Sequence, residues 1–193
     1  MKNPVENREK KLLEKSAAGN REAFGEIVGI YQERAFRAAM LILHHEEDAR
    51  DLTQEAFVRA WRALPKFDIR RPFFPWYYRI LKNACLNERE KNGRKRYVSM
   101  EEMVEENHHQ FSDQSAHPSE KIHREQISQQ LRQALGTLNG ADQEIIVLHH
   151  FEEMSYRDIA DALEIPIGTV MSRLFNARKR LAAAVHALNG GRR

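Results

Sequence analysis

Residues 154–178 read Met154-Ser155-Tyr156-Arg157-Asp158-Ile159-Ala160-Asp161-Ala162-Leu163-Glu164-Ile165-Pro166-Ile167-Gly168-Thr169-Val170-Met171-Ser172-Arg173-Leu174-Phe175-Asn176-Ala177-Arg178, and the spacing inside this stretch decides the fold class. Ser155 with Asp158 three positions on is a weaker relative of the capping box and starts a helix over Tyr156 to Leu163. Ile159, Ala160 and Leu163 give it an inward stripe, Glu164-Ile165-Pro166 reverses the chain, and Val170 and Leu174 reopen an apolar stripe on a helix from Gly168 to Leu188. This is helix-turn-helix spacing. The outer face of the second helix is left with Met171, Ser172, Phe175, Asn176 and Lys179, with Arg173 and Arg178 on the face or its flanks. Arginine and asparagine can hydrogen-bond base edges, an apolar side chain can meet a thymine methyl, and cations hold phosphates. Thr169 stands at the helix N-terminus, where the positive dipole end favours an anion.

The same three- and four-residue spacing runs upstream without strand-like alternation, so the chain reads as all-α. A helix from about Arg21 to Leu43 has Asn20 as its N-cap and Phe24, Ile27, Val28, Tyr31, Ala35, Ala38 and Ala39 along one side. A second, about Glu46 to Leu64, turns Ala49, Leu52, Ala56, Phe57, Ala60 and Trp61 inward and Asp48, Asp51, Gln54, Glu55 and Arg59 outward before Pro65 ends it. After a loop with Pro72 and Pro75, a third spans about Trp76 to Lys91 and closes at Asn92-Gly93. Residues 94–118 hold too little apolar material for a core of their own. Helical spacing resumes near Ser119 with Ile122, Ile127, Leu131, Leu135 and Leu138, and another short helix covers about Asp142 to His150. The expected organisation is an N-terminal extension (1–20), one small helical domain (21–93), a flexible acidic linker (94–118), a second small helical domain (119–189) and a tail (190–193).

With 193 residues, two small domains fit the length. The net charge of +3 is uninformative as a total, but the charges are segregated. Lys66 to Arg96 is rich in Lys and Arg, Val98 to Glu120 has neither, and Ile167 to the end carries no carboxylate side chain. Two basic blocks around an acidic connector suit a protein that touches a polyanion at two places. The single cysteine, Cys85, excludes an intramolecular disulfide and a multi-cysteine zinc site. No apolar run reaches the roughly 20 residues that span a bilayer, and Met1 to Lys15 lacks a signal-peptide core, so no membrane insertion and a cytoplasmic location are expected.

The first basic block is interleaved with rings: Phe67, Phe73, Phe74, Trp76, Tyr77 and Tyr78 lie among Arg70, Arg71 and Arg79. A base stacked on an aromatic side chain gains about 1–3 kcal/mol, enough in sum to hold a few unstacked bases when the phosphates are also bound. Phe67, Trp76 and Tyr77 read more readily as core, which leaves Arg70, Arg71 and the loop ring Phe73 for melted DNA.

The run from Asp51 to Trp61, followed by Phe73-Phe74-Pro75-Trp76-Tyr77-Tyr78-Arg79-Ile80 and Asn83-Ala84, resembles region 2 of the extracytoplasmic function (ECF) sigma factors of bacterial RNA polymerase. Met154 to Ala160 with Gly168 to Leu174 and Ala177-Arg178 resembles their region 4. The resemblance implies polymerase contacts at Asp51, Gln54, Glu55 and Arg59, and contacts to minus-ten DNA at Arg70, Arg71, Phe73, Phe74, Arg79, Lys82 and Asn83. It implies minus-thirty-five contacts at Thr169, Ser172, Arg173, Phe175, Asn176 and Arg178. Core RNA polymerase, promoter DNA and an anti-sigma factor are the partners it suggests; no cofactor, metal or catalytic residue is implied. Many relatives carry a basic residue where Met171 and Asn176 stand, so the resemblance does not carry over a family-typical minus-thirty-five sequence.

A stand-alone helix-turn-helix regulator would explain the C-terminal half equally well, yet leaves the Asp51 to Glu55 surface and the aromatic-basic segment without a role. An enzyme is suggested only by His44-His45-Glu46-Glu47 and His149-His150-Phe151-Glu152-Glu153. Neither has the His-Glu-x-x-His order that sets two imidazoles on one helix face. The connector histidines His108, His109 and His117 could bind a metal opportunistically, but composition alone does not make a functional site.

Overall fold

The computed structural model describes residues 4–92 and 118–190, and every described element is helical. They are α1 (Pro4–Ala17), α2 (Arg21–Leu43), α3 (Glu46–Ala63), α4 (Phe73–Asn92), α5 (Pro118–Gly136), α6 (Gly140–Ile146), α7 (Tyr156–Leu163) and α8 (Ile167–Gly190). A 3-10 turn (Leu64–Lys66) follows α3 and a π-helical turn (Val147–Phe151) follows α6. The expected connector lies outside the described residues except for Pro118, as do Gly93, the connector histidines and residues 191–193.

The chain divides into two compact units. In the first, α2 packs on α1, α3 and α4, and α3 packs on α4. Asn20 caps α2 as its sequence requires, its Oδ1 accepting from the Ala23 amide at 2.9 Å. Ala23, Phe24, Ile27, Tyr31, Ala35, Ala38, Ala39, Ile42 and Leu43 form the buried stripe of α2. Alanines at 35, 38 and 39 keep that stripe thin, so neighbouring helices can come close. The helix ends at His44 in the left-handed conformation (φ 53°), whose amide bonds the Met40 carbonyl, and His45 caps α3. The paired histidines thus serve helix ends.

Residues 4–17, expected as part of an extension, are helical, and Leu12 and Leu13 are buried. Helix α4 starts three residues before its expected start at Trp76, taking Phe73 and Phe74 out of the loop. Pro75 does not prevent this, because the first-turn amides of a helix have no intrahelical partner and a missing N–H costs nothing there. The core is an aromatic cluster: Phe57 stacks on Tyr77 (centroids 4.4 Å apart), and Phe73 meets Tyr31, Phe67, Trp76 and Tyr77 at 5.3 to 6.1 Å. Trp61, expected inward, is half-buried and lies 5.0 Å from Phe24. The Tyr77 hydroxyl donates to the Thr53 carbonyl, and burial pushes its ionisation upward. Cys85 is buried in the same core, and burial raises its thiol to about 12.

In the second unit α5 and α6 pack on α8. Asn139 caps α6. Ala134 and Leu138 anchor the C-terminal end of α5, whereas Ile127, expected in the inward stripe, is exposed. It lies seven residues before Ala134, about 10 Å along the axis, away from the packed end. The helix expected over Asp142 to His150 stops at Ile146 and widens into the π turn, with His149 Nδ1 against the Met154 carbonyl at 3.0 Å. Helix α7 has the predicted bounds, although Arg157–Ile165 group with the first unit; Ala162 is buried with Ile159 while Ala160 and Leu163 are only half-buried. Glu164 takes the left-handed conformation (φ 55°) that reverses the chain.

Candidate nucleic-acid interface

Helix α8 sorts its side chains sharply. Val170, Leu174 and Ala177 are buried, and Met171, Ser172, Arg173, Phe175, Asn176, Arg178 and Lys179 are exposed, with Thr169 half-buried. Exposure reaches 54% for Met171 and 69% for Phe175, large apolar side chains left open to solvent. No Asp or Glu occurs from Ile167 to Gly190. The Ser172 hydroxyl donates to the Thr169 carbonyl at 3.1 Å. Arg178 Nε donates to His150 Nε2 at 3.0 Å, a bond that needs a neutral imidazole; burial first, then Arg178 and His149, hold His150 below its ordinary range.

The orientation of α8 within its unit is pinned by a pair that the sequence reading did not name. Asp142, at the start of α6, is buried; its carboxylate accepts from Arg180 Nε at 2.5 Å, Arg180 NH2 at 3.0 Å and Asn139 Nδ2 at 2.9 Å. This two-pronged geometry is the strong form of an Arg–carboxylate contact. The only advance signal was that Asp142 falls in the first turn of a capped helix, where a carboxylate is favoured.

In the first unit two faces of different character lie on α3 and α4. Asp51, Gln54, Glu55, Val58 and Arg59 are all exposed and share one side of α3, opposite its buried residues Leu52, Thr53, Ala56, Phe57 and Ala60. Arg59 reaches back to Glu55, with Nε and NH2 on Oε1 at 3.1 and 2.6 Å. Val58, 49% exposed, is an apolar residue amid these charges that sequence reasoning passed over, although it falls out of phase with the buried stripe. On α4, Arg79 and Asn83 are exposed and Lys82 is half-buried, at positions i, i+3 and i+4 on one side of the helix.

The loop before α4 presents Arg70 and Arg71, both exposed. Arg70 is held: Asp68 accepts from its Nε and NH2 at 2.8 Å each and from its backbone amide at 3.1 Å. Those hydrogen bonds keep the Asp68 carboxyl down at about 2. The Asp-x-Arg spacing was visible in the sequence, but a side chain that bonds its own backbone two residues on is a turn habit rather than a binding motif.

Two expected DNA contacts are corrected. Phe73 is 0% exposed and Phe74 2%, so neither ring offers a face to a base. Phe73 was placed in a loop; as the first residue of α4 it points into the aromatic cluster, because burying a ring of this size outweighs leaving it in water. Phe74 lies against Tyr31, with the Arg34 guanidinium 3.9 Å from its ring centre. Among the described residues no group of three or more His, Cys, Asp or Glu is placed to hold a metal ion.

Comparison with known proteins identifies the family of the chain. Residues 27–95 match the family model "Sigma-70 region 2", and residues 128–181 match "Sigma-70, region 4". The chain is 31% identical over 188 residues to RNA polymerase sigma-H factor of Pseudomonas aeruginosa, covering 95% of this chain and 97% of that one. It is 30% identical over 175 residues to the ECF RNA polymerase sigma factor SigW of Bacillus subtilis, covering 89% and 94%. Among solved structures, CnrH in complex with the cytosolic domain of CnrY superposes with a TM-score of 0.65 at 26% identity, over 93% of this chain and 98% of that one. The sigma factor RpoE in complex with the anti-sigma factor NepR, from Bartonella quintana, shares the fold with a TM-score of 0.60 at 24% identity, over 84% and 96%.

The chain belongs to the ECF sigma factors of the sigma-70 family. It is a non-enzymatic factor of RNA polymerase that acts in transcription initiation and binds DNA through its region 4 helix-turn-helix. A stand-alone regulator is thereby set aside, since such a protein has no region 2. Among the described residues no helix is long and apolar enough to cross a membrane.

Proposed function

We propose that the α3 face formed by Asp51, Gln54, Glu55, Val58 and Arg59 docks on core RNA polymerase. Arg70, Arg71, Arg79, Lys82 and Asn83 hold the minus-ten DNA as it opens. Helix α8 reads the minus-thirty-five element through Thr169, Ser172, Arg173, Phe175, Asn176 and Arg178. The observation that carries this reading is the sorting of α8: its apolar stripe is inside, and its open side offers hydrogen-bonding and cationic groups with no carboxylate to repel phosphate. On α3 the exposed charges of both signs surround one apolar residue, the make-up of a protein contact rather than of a phosphate track.

The functional domains run over 21–93 and 119–189, with the acidic stretch 94–118 connecting them. Strand opening is driven by binding energy: phosphates held along α4 and the loop favour the melted form, and no nucleotide hydrolysis by this chain is needed. The protein works in the cytoplasm, where polymerase and promoters are. An anti-sigma factor that covers these faces would keep it inactive; RpoE, of similar fold, forms a complex with the anti-sigma factor NepR.

The test is retention of core polymerase by the immobilised full chain. The parent retains core; Glu55→Lys and Val58→Asp, both at exposed positions, each reduce retention at least tenfold while the chain still binds DNA. Undiminished retention by both variants would remove the α3 face from the account.

A further inference from the structure

Resting on the reading of α8 as the upstream DNA-reading helix, we propose that Met171, Phe175 and Asn176 make this chain specific for A·T base pairs within that element. Met171 and Phe175 are four residues apart, so their side chains are neighbours and form an apolar row along one flank of the helix. Ile167, exposed by half, extends the row by another turn. Beside it runs a polar row, Ser172 and Asn176, again four apart. The hydroxyl proton of Ser172 is spent on the Thr169 carbonyl, so the carboxamide of Asn176 is the donor–acceptor group this row presents.

The major-groove edge of an A·T pair carries, in order, the thymine methyl, the thymine O4 acceptor, the adenine N6 donor and the adenine N7 acceptor. An apolar row next to a carboxamide matches that order: the methyl meets Met171 or Phe175, and Asn176 takes N6–H and N7 together. A G·C pair offers no methyl, and its purine presents two acceptors, O6 and N7, which the donor–acceptor carboxamide cannot satisfy at once. The usual partner of cytosine N4 is a carboxylate, and α8 has none. Arg178, on the apolar flank, and Lys179 supply the phosphate contacts that hold the helix in register.

The experiment loads the full chain on core polymerase and selects binders from duplexes randomised across the upstream element. In the selected sequence, each thymine is then replaced by uracil, which removes only the methyl, and each adenine by 7-deazaadenine, which removes only N7. The expected result is an element with A·T pairs at consecutive positions, where one uracil weakens binding about four-fold, the factor of one buried methyl, and one 7-deazaadenine about tenfold. Met171→Ala abolishes the sensitivity to uracil, and Asn176→Ala the sensitivity to 7-deazaadenine; both positions are exposed, so these variants fold as the parent does. An upstream element made of G·C pairs, or variants that keep the parent's sensitivities, would overturn the assignment while leaving the sigma function standing. A holoenzyme that selects no sequence at all would instead mean that α8 is not a reading helix, and the assignment would fall with that reading.

Discussion

Replacing Phe73 with alanine separates a core role from a DNA-contact role most sharply. The ring is fully buried and surrounded by Tyr31, Phe67, Trp76 and Tyr77 at centroid distances of 5.3 to 6.1 Å. Phe→Ala at such a site removes the transfer energy of the ring and leaves a cavity, together about 3–5 kcal/mol. That is a large share of the roughly 5–15 kcal/mol that holds a small domain. Taking about 4 kcal/mol and a urea slope of about 2 kcal/mol/M, the unfolding midpoint falls by about 2 M. Trp61 and Trp76 are the chain's two tryptophans, and both belong to the first unit, so tryptophan fluorescence in urea reports this unit alone. Phe73→Leu, which keeps most of the apolar volume, loses about 1 kcal/mol. Asn83→Ala, on the exposed side of α4, stays within about 0.5 kcal/mol of the parent. A Phe73→Ala chain that unfolds at the parent's midpoint but no longer opens promoters would refute the burial argument and return the ring to the DNA.

Four further outcomes follow from the same structure. Asn20→Ala removes the cap of α2 and lowers stability by about 1 kcal/mol, read in the same urea titration, whereas Asn20→Ser restores most of it. Cys85 does not react with a thiol reagent at pH 8 until the first unit is unfolded; because its folded value, about 12, lies above the ordinary 9.0, its contribution to stability is complete below about pH 9 and is lost as pH rises toward 12. Arg180→Ala strands a buried Asp142 carboxylate and lowers the thermal midpoint of the second unit, and adding Asp142→Asn recovers part of the loss; equal midpoints for both chains would show that the pair does not couple α6 to α8. Lys82→Ala weakens promoter binding evenly across sequences and lowers the salt slope by about 1, whereas Arg173→Ala weakens it at particular base pairs; equal effects on every sequence would erase that division.

Where residue spacing and local chemistry agreed, the fold was legible. Asn20 before an apolar stripe placed the start of α2 to the residue, and Ile159 with the Glu164-Ile165-Pro166 turn bounded α7 correctly. The exposed sides of α3 and α8 followed from periodicity alone, since a residue out of phase with the stripe has nowhere to go but outward. What failed was reading punctuation as structure. Pro72 and Pro75 suggested a loop through Phe74, yet a proline in the first turn breaks no hydrogen bond, so burial of the two phenylalanines extended α4 backwards. Helix α1 buries the adjacent pair Leu12 and Leu13 amid charge, too narrow a stripe to stand out before its partner α2 is seen. The Asp142–Arg180 pair depends on residues brought together by tertiary packing, 38 positions apart, which no local window contains.

The central claim is tested most directly by transcription with core RNA polymerase on fragmented genomic DNA from the source organism, with and without this chain, mapping RNA 5′ ends. The account predicts new start sites, each preceded by two elements at a fixed spacing, that appear only when the chain is present. A folded, inhibitor-free preparation that adds no start site to those of core polymerase alone would contradict it.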